Sequence, residues 1–78
     1  PNPFNPTSTI KYKLPEDLKV QIKVFDVLGK EVSALVNEEK PAGSHEVKFN
    51  GGNLASGIYF YRIQAGSFIN TKKMILLK

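Results

Sequence analysis

His45 is the one imidazole in this 78-residue chain, and its nearest hydroxyl in sequence is Ser44. A nucleophile and a base must converge to react. Neighbours on an extended strand point to opposite faces, so this pair diverges, and His45 reads as an outward-facing strand residue. Glu38 and Glu39 are adjacent carboxylates, a combination that can do acid–base work. They stand beside Lys40 and before Pro41, which is the composition of a solvated loop tip. Asn50-Gly51-Gly52-Asn53 offers amide and carbonyl oxygens but no carboxylate, a poor set for calcium, and reads as a structural loop. One histidine and no cysteine leave no zinc-type ligand set. No glycine-rich turn leads from a strand into a helix, so phosphate cradling is unsupported. Tyr12, Tyr59 and Tyr61 are the aromatics with which a sugar-binding sandwich would build a platform, but their strand positions read as core or core edge. A tyrosine near the start of a strand can also donate its hydroxyl to nearby backbone at a corner. The reading is of a non-enzyme with no cofactor, no metal and no small-molecule substrate.

The elements that must position these residues are strands. Ile10, Tyr12 and Leu14 alternate with Thr9, Lys11 and Lys13, and Leu18, Val20, Ile22 and Val24 alternate with Lys19, Gln21 and Lys23. Period-two patterning marks half-buried strands. Six segments follow: 8–14, 18–25, 31–36, 44–49, 57–65 and 68–77. The stretch 31–37 fits one short helical turn about as well as a strand. Turn chemistry separates the segments. Pro15 removes a ladder donor. Asp26-Val27-Leu28-Gly29 and Lys40-Pro41-Ala42-Gly43 have the residues of type I turns. Gly51 and Gly52 suit a flexible corner where positive φ costs little, and Gly66 suits a hairpin loop. The segment from Gly57 to Ile63 is apolar on both faces and should be central, with Tyr59, Tyr61 and Ile63 on one side and Ile58 and Phe60 on the other. Gly57→Val should damage folding if Gly57 holds positive φ. The spacing indicates an all-β, antiparallel β-sandwich of immunoglobulin-like shape with six to seven strands.

Composition narrows the function classes. Seventy-eight residues allow one small domain, here the whole of 1–78, with 1–7 a proline-rich linker junction and 8–78 the sandwich. A chain this short has marginal stability, and no disulfide can staple it. The net charge is +4, but Arg62 is the sole arginine and the lysines are spread along alternating strand positions. Nucleic-acid binding asks for clustered basic residues with exposed aromatics, so no nucleic-acid partner is expected. No run approaches the ~18 apolar residues of a membrane helix. The chain opens on Pro1 without an initiator methionine, so it is expected to be the tail of something longer, with any export signal upstream.

Its last residues are Lys72-Lys73-Met74-Ile75-Leu76-Leu77-Lys78, an apolar run between lysines. Chain ends fray unless the fold ties them down, so this run should be packed or be read by something. As a strand it would carry lysines that protect an edge from unwanted pairing, and an accessible edge can be grasped by strand addition. Such an edge also allows a dimer through the terminal strand.

Three segments, taken together, resemble a known family. They are Pro1-Asn2-Pro3-Phe4-Asn5-Pro6, Asn53-Leu54-Ala55-Ser56-Gly57-Ile58-Tyr59-Phe60-Tyr61-Arg62, and the run from Lys72 to Lys78. The stretch Val24-Phe25-Asp26-Val27-Leu28-Gly29-Lys30-Glu31-Val32 matches as well. The set closely resembles the C-terminal sorting domain of the type IX secretion system, type A, of Bacteroidetes and related bacteria, over nearly the whole chain. The resemblance implies a non-catalytic immunoglobulin-like domain covalently attached to an upstream cargo. Such a domain directs folded cargo from the periplasm through the outer-membrane translocon, and a surface sortase typically removes it, leaving the cargo at the surface or outside the cell. The translocon and sortase are the implied partners. Lys72, Lys73, Met74, Ile75, Leu76, Leu77 and Lys78 are the candidate recognition residues. Pro1, Asn2, Pro3, Phe4, Gly29, Gly57 and Tyr59 are the structural motif, with Phe4 expected to plug the open end of the sandwich. The family often has a residue before Pro-Asn-Pro, and this chain starts at Pro1. An adhesion or carbohydrate-binding sandwich and a hook-capping-like immunoglobulin domain are the alternative readings.

Overall fold

The computed structural model describes residues 7–77. Six antiparallel strands run in chain order: β1 (Thr7–Leu14), β2 (Leu18–Phe25), β3 (Glu31–Lys40), β4 (Gly43–Asn50), β5 (Gly57–Ala65) and β6 (Phe68–Leu76). They form two sheets. One has the order β1-β4 and the other the order β3-β2-β5-β6. The all-β sandwich expected from the period-two pattern is the fold observed, at the six-strand end of the expected range. Pro1, Asn2, Pro3 and Phe4, and with them the plug expected of Phe4, lie outside the described residues, as does Lys78.

The core lies between the sheets. Val20, Ile22 and Val24 on β2 are fully buried, because β2 is paired on both edges and covered on its inner face. Ile10 and Leu14 from β1, Val36 from β3, and Ile63 and Ala65 from β5 pack with Val20 and Ile22 at one end. Phe49 from β4, Tyr59 from β5 and Leu76 from β6 pack with Val24 at the other. Burial of side chains of this size stabilises by about 1.5–3 kcal/mol each, which is how a chain without staples holds together.

β3 resolves the helical ambiguity of its sequence. Its ladder with β2 carries register shifts between Ile22 and Lys23 and between Val24 and Phe25. Extra residues on β3 break the strict alternation, as β-bulges do. Val32 and Leu35 can then pack on the core alongside buried Val36. Spacings of three and one are helical in a list of letters and are bulged in the strand. β3 also runs to Lys40, not to Val36. Glu38 and Glu39 are therefore strand residues opposite Val20 and Lys19, not a loop tip. Beyond Val36 they are exposed, so the extension leaves no apolar mark in the sequence.

The connections differ by whether they stay in one sheet. Asp26–Gly29 closes the β2–β3 hairpin as a type I turn, with the Gly29 N–H donating to the Asp26 carbonyl at 3.0 Å. The Asp26 carboxylate also accepts from the Leu28 and Lys30 N–H groups, at 2.9 Å each. Gly29 takes φ +84°, the left-handed position a non-glycine residue resists. The β1–β2 and β3–β4 connections cross between sheets. The Asp17 carboxylate ties them by accepting from the Ala42 N–H at 2.8 Å.

Gly51 and Gly52 depart from the expected positive φ. Gly51 is instead small because Leu76 lies on it: a Cβ there would meet the Leu76 methyl carbons at 2.7 and 2.8 Å. Gly57 does hold positive φ, at +152°.

Candidate functional site

The residues with catalytic side chains do not assemble. His45 shares its face with Val47 and Phe49, not with the outward residues Ser44 and Glu46. The outward placement is thus corrected. Its ring stacks on Tyr12, its register partner, at 5.3 Å between centroids. Its Nε2 lies 2.7 Å from the Pro41 carbonyl oxygen. The stack holds the imidazole against β1, and the Pro41 contact holds it at the β3–β4 corner. Parity with Val47 and Phe49 was the available signal. An open depression of about 590 Å³ lies over β1 and β4 and is lined by Lys11, Lys13, Ser44, His45 and Glu46. Ser44 and His45 point apart across it, so no nucleophile meets a base. Among the described residues no group of three or more His, Cys, Asp or Glu side chains converges on one point. No described helix is long and apolar enough to cross a membrane.

The tyrosines are packing residues. Tyr59 is buried, Tyr61 is half-buried against both core clusters, and Tyr12 is half-buried under His45. The Tyr59 hydroxyl donates to the Ala55 carbonyl at 2.7 Å, the corner bond a tyrosine near a strand start can make. That bond pins the crossing from β4 to β5. An exposed line of tyrosines is not present.

β6 is different in kind. It pairs with β5 through nine register partners, from Gly57 opposite Leu76 to Ala65 opposite Phe68. No described strand pairs with its other side. The candidate recognition residues divide by parity along it. Leu76 is 2% exposed, packed on Gly51, and Met74 is half-buried against the same cluster. Ile75 and Leu77 point outward, 61% and 59% exposed. Ile58, opposite Ile75 on β5, extends the outward apolar strip. Lys72 and Lys73 are exposed, opposite Tyr61 and Phe60, and among the described residues neither is in an ion pair.

Beside this edge the sandwich is open. Among the described residues β1 has a partner on one side only, and a groove of about 210 Å³ lies between it and β6. Tyr61, Ile63 and Ala65 of β5 lie along the groove with Leu14. Lys11, Lys13 and Lys72 also line it, and no lining residue is a carboxylate. Sequence parity separates Ile75 from Leu76, but the edge position and the groove depend on sheet order, which no local pattern encodes.

Comparison with curated proteins and with solved structures gives no match. Comparison with family models gives one over residues 1–77, described as a secretion system C-terminal sorting domain. That match spans essentially the whole chain, and a six-stranded sandwich without an assembled reactive centre is consistent with it. The chain belongs to the family of C-terminal sorting domains of the type IX secretion system.

Proposed function

We propose that this chain is the sorting signal of a type A cargo and that its β6 strand is the handle the export machinery holds. Membership in the family makes the chain a C-terminal secretion-sorting signal and the protein that carries it secreted or displayed at the cell surface. Domains of this family are generally non-catalytic. The finer reading concerns how the signal works. The domain rides on an upstream cargo, passes with it from the periplasm through the outer-membrane translocon, and is then removed by a surface sortase.

The observation that carries the reading is the free edge of β6 with Ile75 and Leu77 presented outward. An edge strand with apolar outward residues invites pairing, and natural sandwiches usually blunt or cover it. Retaining it in a small, marginally stable domain is explained if a receptor uses it. Recognition by main-chain pairing also suits a signal that must serve unrelated cargoes, because backbone groups are common to all of them.

The test is export of a reporter fused to this chain, in a host with the type IX system. Deleting residues 74–78 removes core Leu76 and so confounds recognition with folding. Ile75→Ser with Leu77→Ser alters only outward positions. We expect that pair, and Lys72→Glu with Lys73→Glu, to leave the reporter in the periplasm while the purified domains melt as the parent does. Surface delivery of the Ser pair at the parent level refutes the handle.

A further inference from the structure

The lysines of β6 do more than mark an edge: they exclude one pairing partner and describe another. A second copy of the chain is the partner always at hand for an exposed strand. In a two-fold antiparallel pairing of β6 with itself, the register that uses all nine residues and keeps core-side residues on one face is centred on Lys72. It places Ile75 opposite Ile69 and Leu76 opposite Phe68, both apolar pairs. It also sets Lys72 against its own copy, with Cβ atoms about 4.5–5.5 Å apart, and Lys73 diagonal to its copy on the outer face. Like charges then meet at the centre of both faces. A slip of two residues one way sets Lys73 against its own copy, a slip the other way leaves Lys72 diagonal to its copy, and both shorten the ladder.

The geometry points to a heterologous strand as the occupant: an extended segment of another protein with two adjacent acidic residues flanked by apolar ones. Paired antiparallel to β6, its two carboxylates stand opposite Lys72 and Lys73, and its apolar residues stand opposite Ile69 and Ile75. The groove adds a second complement. Lys72 lines it with Lys11 and Lys13, and the lining contains no carboxylate. An acidic side chain on the core side of the incoming strand stands opposite Lys72, while apolar neighbours extend the surface of Tyr61 and Ile63. This inference rests on the handle reading and supplies the chemistry of the partner.

Two fluorescent nine-residue peptides test it, each of alternating valine and threonine, one with Glu-Glu at its fourth and fifth positions and one with Lys-Lys there. Anisotropy titrations use the whole chain. The Glu-Glu peptide should bind at least about tenfold more tightly than the Lys-Lys peptide, and the gap should shrink with salt. Lys72→Glu with Lys73→Glu should reverse the preference, an outcome that a merely unfolded variant cannot produce. Cross-strand contacts from the Glu-Glu peptide to β6 amides by NMR should place it on the free edge. Equal binding of the two peptides, no saturable binding, or a parent chain that sediments as a dimer overturns the inference. Failure of these titrations with normal dependence of export on Ile75 and Leu77 sinks the acidic partner and spares the handle. Charge-selective binding with export indifferent to β6 does the reverse.

Discussion

β2 and β6 each hold two lysines among apolar residues, alternating in β2 and adjacent in β6, and the fold uses them in opposite ways. β2 has β3 on one side and β5 on the other, so its inner residues are sealed and its ladder is complete. Its lysines have carboxylates across the ladder: Lys23 pairs with Glu31 at 3.3 Å, and Lys19 stands opposite Glu39. β6 has one neighbour, and its lysines face Tyr61 and Phe60. The comparison teaches that a strand of apolar residues and lysines acquires its role from what its neighbours supply. Charges answered within the fold make a stable centre, and charges left unanswered make a surface with a preference.

The sharpest way to break the contrast is to truncate one isoleucine in each strand. Ile22→Ala removes a fully buried side chain and should cost about 2–5 kcal/mol, visible as a collapse of the denaturant midpoint. The outward Ile75→Ser should stay within about 0.5 kcal/mol of the parent while abolishing export. Comparable losses of stability would mean that β6 is as sealed as β2.

A smaller effect is expected where the two regions meet. Gly51→Ala forces a methyl against Leu76, which is buried and has little room to yield. Overpacking of this kind should cost about 1–3 kcal/mol, and amide exchange should quicken along β6 before it does along β2. Uniform quickening would show that the edge has no separate stability. A loss at the lower end of that range is expected from Tyr59→Phe, which deletes the bond to the Ala55 carbonyl and should lower thermal stability by about 1 kcal/mol.

The central strands were open to reading because burial on a known face writes period two into the letters. The bounds of β2 and β5 are those expected from Leu18–Phe25 and Gly57–Ala65. The strand nature of β6 was legible instead from apolar residues at both ends of a segment that follows the Gly66 turn. Failures came where pairing left no apolar trace. The end of β3 holds Glu38 and Glu39 by hydrogen bonds to β2 while burying neither face, so its letters look like a loop. The face of His45 is set by its parity with Val47 and Phe49, and its adjacency to Ser44 carries no information about that face. Gly51 was assigned backbone freedom when the demand was space, since Leu76 is distant in sequence. The candidate site was half legible. Lys72 to Leu77 stood out as an unusual run, but the order β3-β2-β5-β6, which makes that run an edge, is set by contacts between residues far apart along the chain.

Leu76 resting on Gly51 gives the exposed strand a way to report on its own completion. In the closed sandwich, Ile75 and Leu77 are visible and the leucine between them is hidden. In an open chain all three are visible together. Hiding that leucine requires Val24, Phe49 and Tyr59 to gather around it, so the alternation of visible and hidden residues exists only in the folded domain. Maturity of the interior is written on the outside as a gap in greasiness one residue wide.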